Sequence, residues 1–253
     1  MLAILLPIIY VSACILLFVK QRSLLYLPTA ISDRGANSVA LIQSEGETLR
    51  ILTRKADSPD AVIIFGGNAE DISRYLDSFA EAVPKQNLFL VNYRGYSGST
   101  GTPSEAGLFA DAIAVYDYVH AQFPNVSVFG RSLGTGIAVY LASVRKVEKL
   151  VLITPYDSFE NVAQHHFPIF PMSLLLKDKF DSASRVEKVT AKTLILIAEH
   201  DETIPRASTV ALVQRFSHDQ VDVKILPGTT HDSIKFDGEY ERLIGQFLNT
   251  NPQ

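Results

Sequence analysis

One five-residue segment restricts the fold of this chain more than any other: Gly130-Arg131-Ser132-Leu133-Gly134. An apolar run, Val126-Ser127-Val128-Phe129, leads into it, and residues 133–144 leave it with apolar side chains at three- and four-residue spacing. Strand, glycine-flanked turn and helix in immediate succession put the serine on a sharp reversal, with its hydroxyl held out at the carboxyl end of a sheet. The glycines serve a steric end, because strand and helix must approach closely around a residue in a strained backbone conformation. A Gly-x-Ser-x-Gly pattern alone could be an ordinary glycine-rich turn; the flanking strand and helix single this one out.

The rest of the chain repeats that strand-and-helix alternation. Residues 39–43 and 49–53 read as an opening pair of strands joined by Glu45-Gly46. Short buried strands follow at 61–65, 88–92, 126–129, 150–153, 194–198 and 221–226, with helical patterns at 73–83, 104–122, 133–144, 207–216 and 239–248. Such an order predicts an α/β fold, a mostly parallel central sheet flanked by helices. Between Ile153 and Leu194 lie forty residues, where one crossover needs about half as many. That stretch, residues 154–192, is expected to form a small lid insertion; it holds Phe159, Phe167, Pro168, Ile169, Phe170, Pro171 and Leu174-Leu175-Leu176.

A chain of 253 residues, 47% hydrophobic, supplies one large core, so a single domain over residues 21–253 is expected. The net charge of −4 has no basic cluster behind it, which argues against nucleic acid as a partner. Cys14 is the only cysteine, so no intramolecular disulfide and no cysteine-based zinc or redox motif can form.

From Leu2 to Val19 the sequence carries no charge and shows no polar stripe. Eighteen residues of helix span about 27 Å, close to a hydrocarbon core of roughly 30 Å. Residues 1–20 are therefore expected to form a transmembrane anchor in preference to a buried core helix. A cleaved signal fits less well, since no Lys or Arg precedes the run and no clear small-residue cleavage site follows it. Val11-Ser12-Ala13-Cys14 resembles a lipoprotein processing site, but Ile15-Leu16-Leu17-Phe18 prolongs the apolar span beyond it. Lys20 and Arg22 after the span favour the cytoplasmic face for the domain.

A serine becomes a nucleophile when a base takes its proton, usually a histidine oriented by a carboxylate. After the last strand comes Pro227-Gly228-Thr229-Thr230-His231, which makes His231 the expected base. His120 and His218 end helical patterns, whereas His165 and His166 fall in the insertion and could line a pocket. The loop Glu199-His200-Asp201-Glu202 follows the preceding strand, so Asp201 is the expected acid, with Glu199, Glu202 and Asp157 as alternatives. An oxyanion hole needs two backbone N–H groups. Leu133 offers one; Asn68, with Ala69 as fallback, offers the other from Gly66-Gly67-Asn68-Ala69. Neither a cofactor nor a metal is expected, because no further ligands stand at zinc-like spacing from His165-His166.

In order along the chain, these segments resemble membrane-anchored alpha/beta-hydrolases related to the alpha/beta-hydrolase-domain protein depalmitoylases. The resemblance runs through Gln21-Arg22-Ser23-Leu24-Leu25-Tyr26-Leu27-Pro28-Thr29, Tyr93-Arg94-Gly95-Tyr96-Ser97-Gly98, Gly101-Thr102-Pro103-Ser104-Glu105, Thr154-Pro155-Tyr156-Asp157-Ser158 and Leu175-Leu176-Lys177-Asp178-Lys179-Phe180-Asp181. It implies the alpha/beta-hydrolase fold and a Ser132, Asp201, His231 triad. The implied activity is that of a serine hydrolase of the EC 3.1 kind, cleaving acyl esters or thioesters of lipophilic character. A peptidase or amidase, and a non-catalytic binding protein of the same fold, are the alternatives. Where family members usually carry His-Gly-Asn-Ala-Gly, this chain has Gly66-Gly67-Asn68-Ala69-Glu70, and Asn92 stands where aspartate is common. Glu70 is expected near the pocket or at a helix start, where the dipole favours a carboxylate.

Overall fold

All eight expected strands form, and they hydrogen-bond into one sheet in the order β1-β2-β4-β3-β5-β6-β7-β8 in a computed structural model that describes residues 2–250. Met1 and residues 251–253, the outermost residues of the expected anchor and domain, lie outside the described residues. The strands are β1 (Ser38–Ser44), β2 (Glu47–Arg54), β3 (Asp60–Phe65), β4 (Asn87–Val91), β5 (Asn125–Arg131), β6 (Lys149–Ile153), β7 (Lys192–His200) and β8 (Val221–Thr230). β1 and β2 form a hairpin through Glu45-Gly46, and β2 runs antiparallel to β4. From β4 to β8 every pairing is parallel.

Helices cover both faces, as a parallel sheet requires. α3 (Glu105–His120), α4 (Leu133–Val144) and α7 (Arg206–Val213) bury Leu108, Val115, Ile137, Leu141 and Leu212 on one face. α2 (Tyr75–Ala82) and α8 (Gly238–Asn249) bury Leu76, Phe79, Tyr240 and Ile244 on the other. The ends differ from the sequence expectation by a few residues, for local reasons. Ser104 lies outside α3 as its cap and accepts from the Gly107 N–H at 3.1 Å, while residues 72–74 form a 3-10 turn ahead of α2.

Only part of the 154–192 insertion stands away from the sheet. α5 (Phe159–His166) and the single turn α6 (Met172–Leu175) form a small cap. Beyond them the chain returns to the core, where Phe180, Val186 and Val189 are buried.

The amino-terminal helix α1 (Leu2–Leu25) runs past the expected end of the apolar span. It is long and apolar enough to cross a membrane, and its side chains from Leu5 to Val19 are mostly exposed. Its last turns are fastened to the domain. Gln21 donates to the Leu175 carbonyl at 2.9 Å and accepts from the Lys177 N–H at 2.7 Å. Arg22 grips buried Asp178 through two bonds of 2.8 and 2.9 Å, and the same carboxylate accepts from the Tyr26 hydroxyl at 3.1 Å and from the Glu105 N–H, at the start of α3, also at 3.1 Å. Two of the segments that carry the family resemblance thus hold each other.

Close approach of β3, β5 and α4 is the steric condition for this architecture. A Cβ on Gly134 would lie 2.1 Å from the Phe65 carbonyl oxygen, and one on Gly130 would lie 2.5 Å from the Gly134 carbonyl oxygen. Gly134→Ala is expected to destabilise the protein by about 3 kcal/mol or more, lowering Tm by roughly 6–12 °C. Gly238→Ala, which meets nothing within 4 Å, should leave Tm almost unchanged. Thermal unfolding of the two variants side by side checks this.

Candidate active site

Ser132 follows β5 directly and adopts φ 49°, ψ −117°, a left-handed conformation that costs a non-glycine residue energy. Surrounding bonds hold it there. Its N–H donates to the Ile153 carbonyl at 3.0 Å, and its own carbonyl accepts from the Thr135 N–H at 2.9 Å and the Thr135 hydroxyl at 2.6 Å.

Sheet register delivers the other two side chains. β7 and β8 pair with an irregularity after Ala198, and the pairing resumes at His200 with Thr230. The next residue on each strand is therefore Asp201 and His231, side by side beyond the sheet edge. The His231 Nδ1 lies 3.0 and 2.9 Å from the two Asp201 carboxylate oxygens, and Nε2 lies 3.0 Å from the Ser132 Oγ. With the Nδ1 proton facing Asp201, Nε2 is free to accept from the serine hydroxyl. One Asp201 oxygen also accepts the Thr203 and Ile204 N–H groups at 2.9 and 2.7 Å, which fixes the carboxylate's direction.

None of the alternative acids is hydrogen-bonded to His231. Glu199 accepts from the Gly228 N–H at 2.7 Å, and Glu202 is exposed. Asp157 ties the base of the cap to α7, bonding Asn161, the Ser158 N–H and the Ser208 hydroxyl. His165 and His166 are exposed on the cap, with the His166 Nε2 2.9 Å from the Thr203 carbonyl oxygen. Among the described residues no group of three or more His, Cys, Asp or Glu is placed to hold a metal ion.

Leu133 opens α4, so its N–H has no acceptor within the helix. The loop after β3 lies against this turn, as the contact of Gly134 with Phe65 requires. Ala69 has φ 56°, which turns the loop sharply behind Asn68. The Asn68 side chain has a role not foreseen from sequence. Its Nδ2 donates to the Leu25 carbonyl at the end of α1, while its Oδ1 accepts from the Leu27 N–H at 3.0 Å and the Tyr96 hydroxyl at 2.8 Å. The expected oxyanion loop is thereby pinned to the exit of the amino-terminal helix.

No protein-family model matches the chain. An uncharacterized protein of Mycobacterium tuberculosis, Rv2307c, is 31% identical over 240 residues, covering 88% of this chain and 85% of the relative. Human alpha/beta hydrolase domain-containing protein 17B is 29% identical over 202 residues, covering 76% of this chain and 68% of the relative. Among solved structures, the Pyrococcus furiosus esterase Pf2001 superposes with a TM-score of 0.72 at 17% identity, covering 88% of this chain and 98% of that one. The chain is related to the alpha/beta-hydrolase-domain proteins. Its fold is the alpha/beta-hydrolase fold.

At residues 66–70, where the hydrolase departs from the family pattern, Glu70 does not take the helix start; it lines a cavity with Asn68, Ala69 and Arg131. Asp71 takes the cap position, accepting from the Ser73 N–H at 3.2 Å. Glu70 folds under its own loop. One oxygen accepts from the Gly67 N–H at 2.7 Å; the other accepts from Arg131 Nη1 at 2.8 Å, from Lys235 at 3.2 Å and from the Tyr75 hydroxyl. Arg131 in turn donates through Nη2 to the His231 carbonyl at 2.8 Å. The two charged side chains are 8% and 4% exposed. A Cβ at position 67 would lie 2.9 Å from the Arg131 Nη1, so a side chain there would push the guanidinium aside. The loop is thus braced from position 70.

Burial by itself would raise the Glu70 carboxyl, but the Arg131 charge, the Tyr75 hydroxyl, the Gly67 N–H and Lys235 together hold it below the usual glutamate range. A depressed folded-state pKa contributes stability that is present above the unfolded value of about 4.3 and lost as pH falls through the folded value. Glu70→Gln is expected to cost about 3 kcal/mol at pH 7 by leaving Arg131 buried without its partner. It should also flatten the fall of stability between pH 5 and pH 3. Urea unfolding of both proteins across that range measures the two effects.

Proposed function

We propose that this protein is a membrane-anchored serine hydrolase that cleaves carboxylic esters or thioesters of lipophilic acyl groups through an acyl-enzyme on Ser132. The observation that carries the reading is the relay Asp201, His231, Ser132, with 2.9–3.0 Å between successive groups. In the first half-reaction the Ser132 Oγ attacks the acyl carbonyl carbon while His231 Nε2 takes the hydroxyl proton. Asp201 stabilises the imidazolium so formed. Negative charge on the carbonyl oxygen falls to the backbone N–H groups of Leu133 and Asn68. Collapse of the tetrahedral intermediate expels the alcohol or thiol, which leaves with the proton from His231. Water repeats the sequence on the acyl-enzyme and releases the acid.

Support for a lipophilic acyl group comes from a cavity of about 310 Å³ between α1 and the cap. Leu17, Leu24 and Leu25 wall it on the helix side, with Val162, Phe167 and Met172 opposite. Two of its wall residues are bonded to the site: the Thr203 N–H donates to Asp201, and the Leu25 carbonyl accepts from the Asn68 side chain. In this reading residues 1–20 form the anchor and residues 21–253 the hydrolase domain, with the cap inside residues 154–192. The exposed, uncharged length of α1 supports the anchor, and Lys20 with Arg22 at its domain end supports the cytoplasmic side.

Full-length protein in detergent is expected to label with a fluorophosphonate probe. Ser132→Ala should abolish the labelling and cut kcat by roughly 10,000-fold or more. Labelling that persists in Ser132→Ala would overturn the choice of nucleophile. Across a series of p-nitrophenyl esters and acyl thioesters from acetyl to palmitoyl, kcat/KM should rise with chain length; a flat profile would remove the cavity from the reading while leaving the serine chemistry.

A further inference from the structure

The cap follows α1 well beyond the docked carboxyl end of the helix. Tyr10 stacks on Phe170, with ring centroids 5.8 Å apart and planes within 3° of parallel, and its hydroxyl donates to the Ile169 carbonyl at 2.7 Å. Tyr10 stands ten residues before Lys20, about 15 Å along the helix axis. At the domain end the charges gather. Lys20 and Arg22 lie on the helix, and the Lys177 ammonium sits 4.2 Å from the centroid of the Phe18 ring. With that basic collar at the headgroup level, Phe170 lies roughly 10–15 Å below it for ordinary helix tilts.

We infer that the cap tip, residues 167–176, is embedded in the bilayer beside α1, so that the cavity between them opens sideways into lipid. The inference rests on reading α1 as a membrane anchor, and three properties of the tip carry it. First, Phe-Pro-Ile-Phe-Pro-Met-Ser-Leu-Leu-Leu contains one polar side chain, and Phe167, Ile169 and Leu174 are 52%, 70% and 78% exposed. Second, most of its backbone N–H groups are already paired, which suits a medium without water, where an unpaired N–H or C=O costs several kcal/mol. The N–H groups of residues 167, 170, 174, 175 and 176 donate to backbone carbonyls, that of Met172 donates to Gln164 Oε1, and positions 168 and 171 are proline. The Pro168 and Ile169 carbonyls accept from the Gln164 and Tyr10 side chains. Third, the tip is continuous with the exposed apolar surface of α1, so both meet one medium. An acyl chain then reaches the cavity from the bilayer without crossing water.

The chain has no tryptophan, so a single introduced one reports alone. Full-length Ile169→Trp and Leu174→Trp proteins, reconstituted in phosphatidylcholine vesicles, should emit at blue-shifted wavelengths. Lipid brominated along its acyl chains should quench them at least half as strongly as it quenches Leu16→Trp on α1. Tyr118→Trp, on the exposed surface of α3, should stay unquenched. Retained fluorophosphonate labelling shows that each variant is folded. Cap reporters that behave like Tyr118→Trp while Leu16→Trp is quenched overturn the inference and leave the anchor standing. Absence of quenching at Leu16→Trp as well overturns the anchor itself and the inference with it. A blue-shifted but unquenched cap reporter also counts against lipid contact, since it places the tip against protein.

Discussion

The buried pair of Glu70 and Arg131 is the interaction on which the rest of the site depends. Arg131 is the residue before Ser132, and its guanidinium reaches the loop of residues 66–70 through Glu70 and the histidine loop through the His231 carbonyl. Three loops from distant parts of the sequence are thereby set against one side chain. A salt bridge this deep contributes little net stability beyond an apolar pair of the same shape, because desolvation offsets the attraction. Geometry is its more consequential effect. It fixes the loop carrying Asn68 and the loop carrying His231 relative to the strained turn at Ser132, without a side chain at position 66.

Much of the architecture could be read from the sequence because its signals are local. Ser132 sits in a motif whose strand and helix are contiguous with it, and His231 and Asp201 follow the last two strands of an alternation that any parallel sheet must obey. The pairing of His200 with Thr230, which brings those two residues abreast, is a matter of register that no single strand encodes. The Glu70 contact was hidden for a similar reason. Its partner occupies a free position of the Gly-x-Ser-x-Gly pattern, 61 residues away. Of the two places expected for Glu70, near the pocket or at a helix start, it takes the first, and Asp71 takes the helix start.

The helix α1 runs beyond the apolar span for a different physical reason. Hydropathy sees charge arrive at Lys20 and ends the apolar span there, but helix formation does not stop where hydrophobicity does. Gln21 and Arg22 remain helical because the cap and Asp178 satisfy their side chains. Asp178 joins the helix end, Tyr26 and the start of α3 in one buried carboxylate. Likewise the insertion reads as forty residues of lid by length alone, whereas Phe180, Val186 and Val189 in its last part are buried in the core.

The bond from Asn68 to the Leu25 carbonyl bears on how the protein can be handled at the bench. The usual route to a soluble fragment is to cut after the hydrophobic segment and keep the remainder. Here a cut beyond Leu25 would strip Asn68 of an acceptor and deprive Asp178 of its cation, altering the loop after β3 and the seat of α3 together. A fragment that begins by Gln21 keeps both contacts. Rates measured on shorter pieces would describe a hydrolase with a loosened site, and a weak esterase obtained that way would be a product of the truncation.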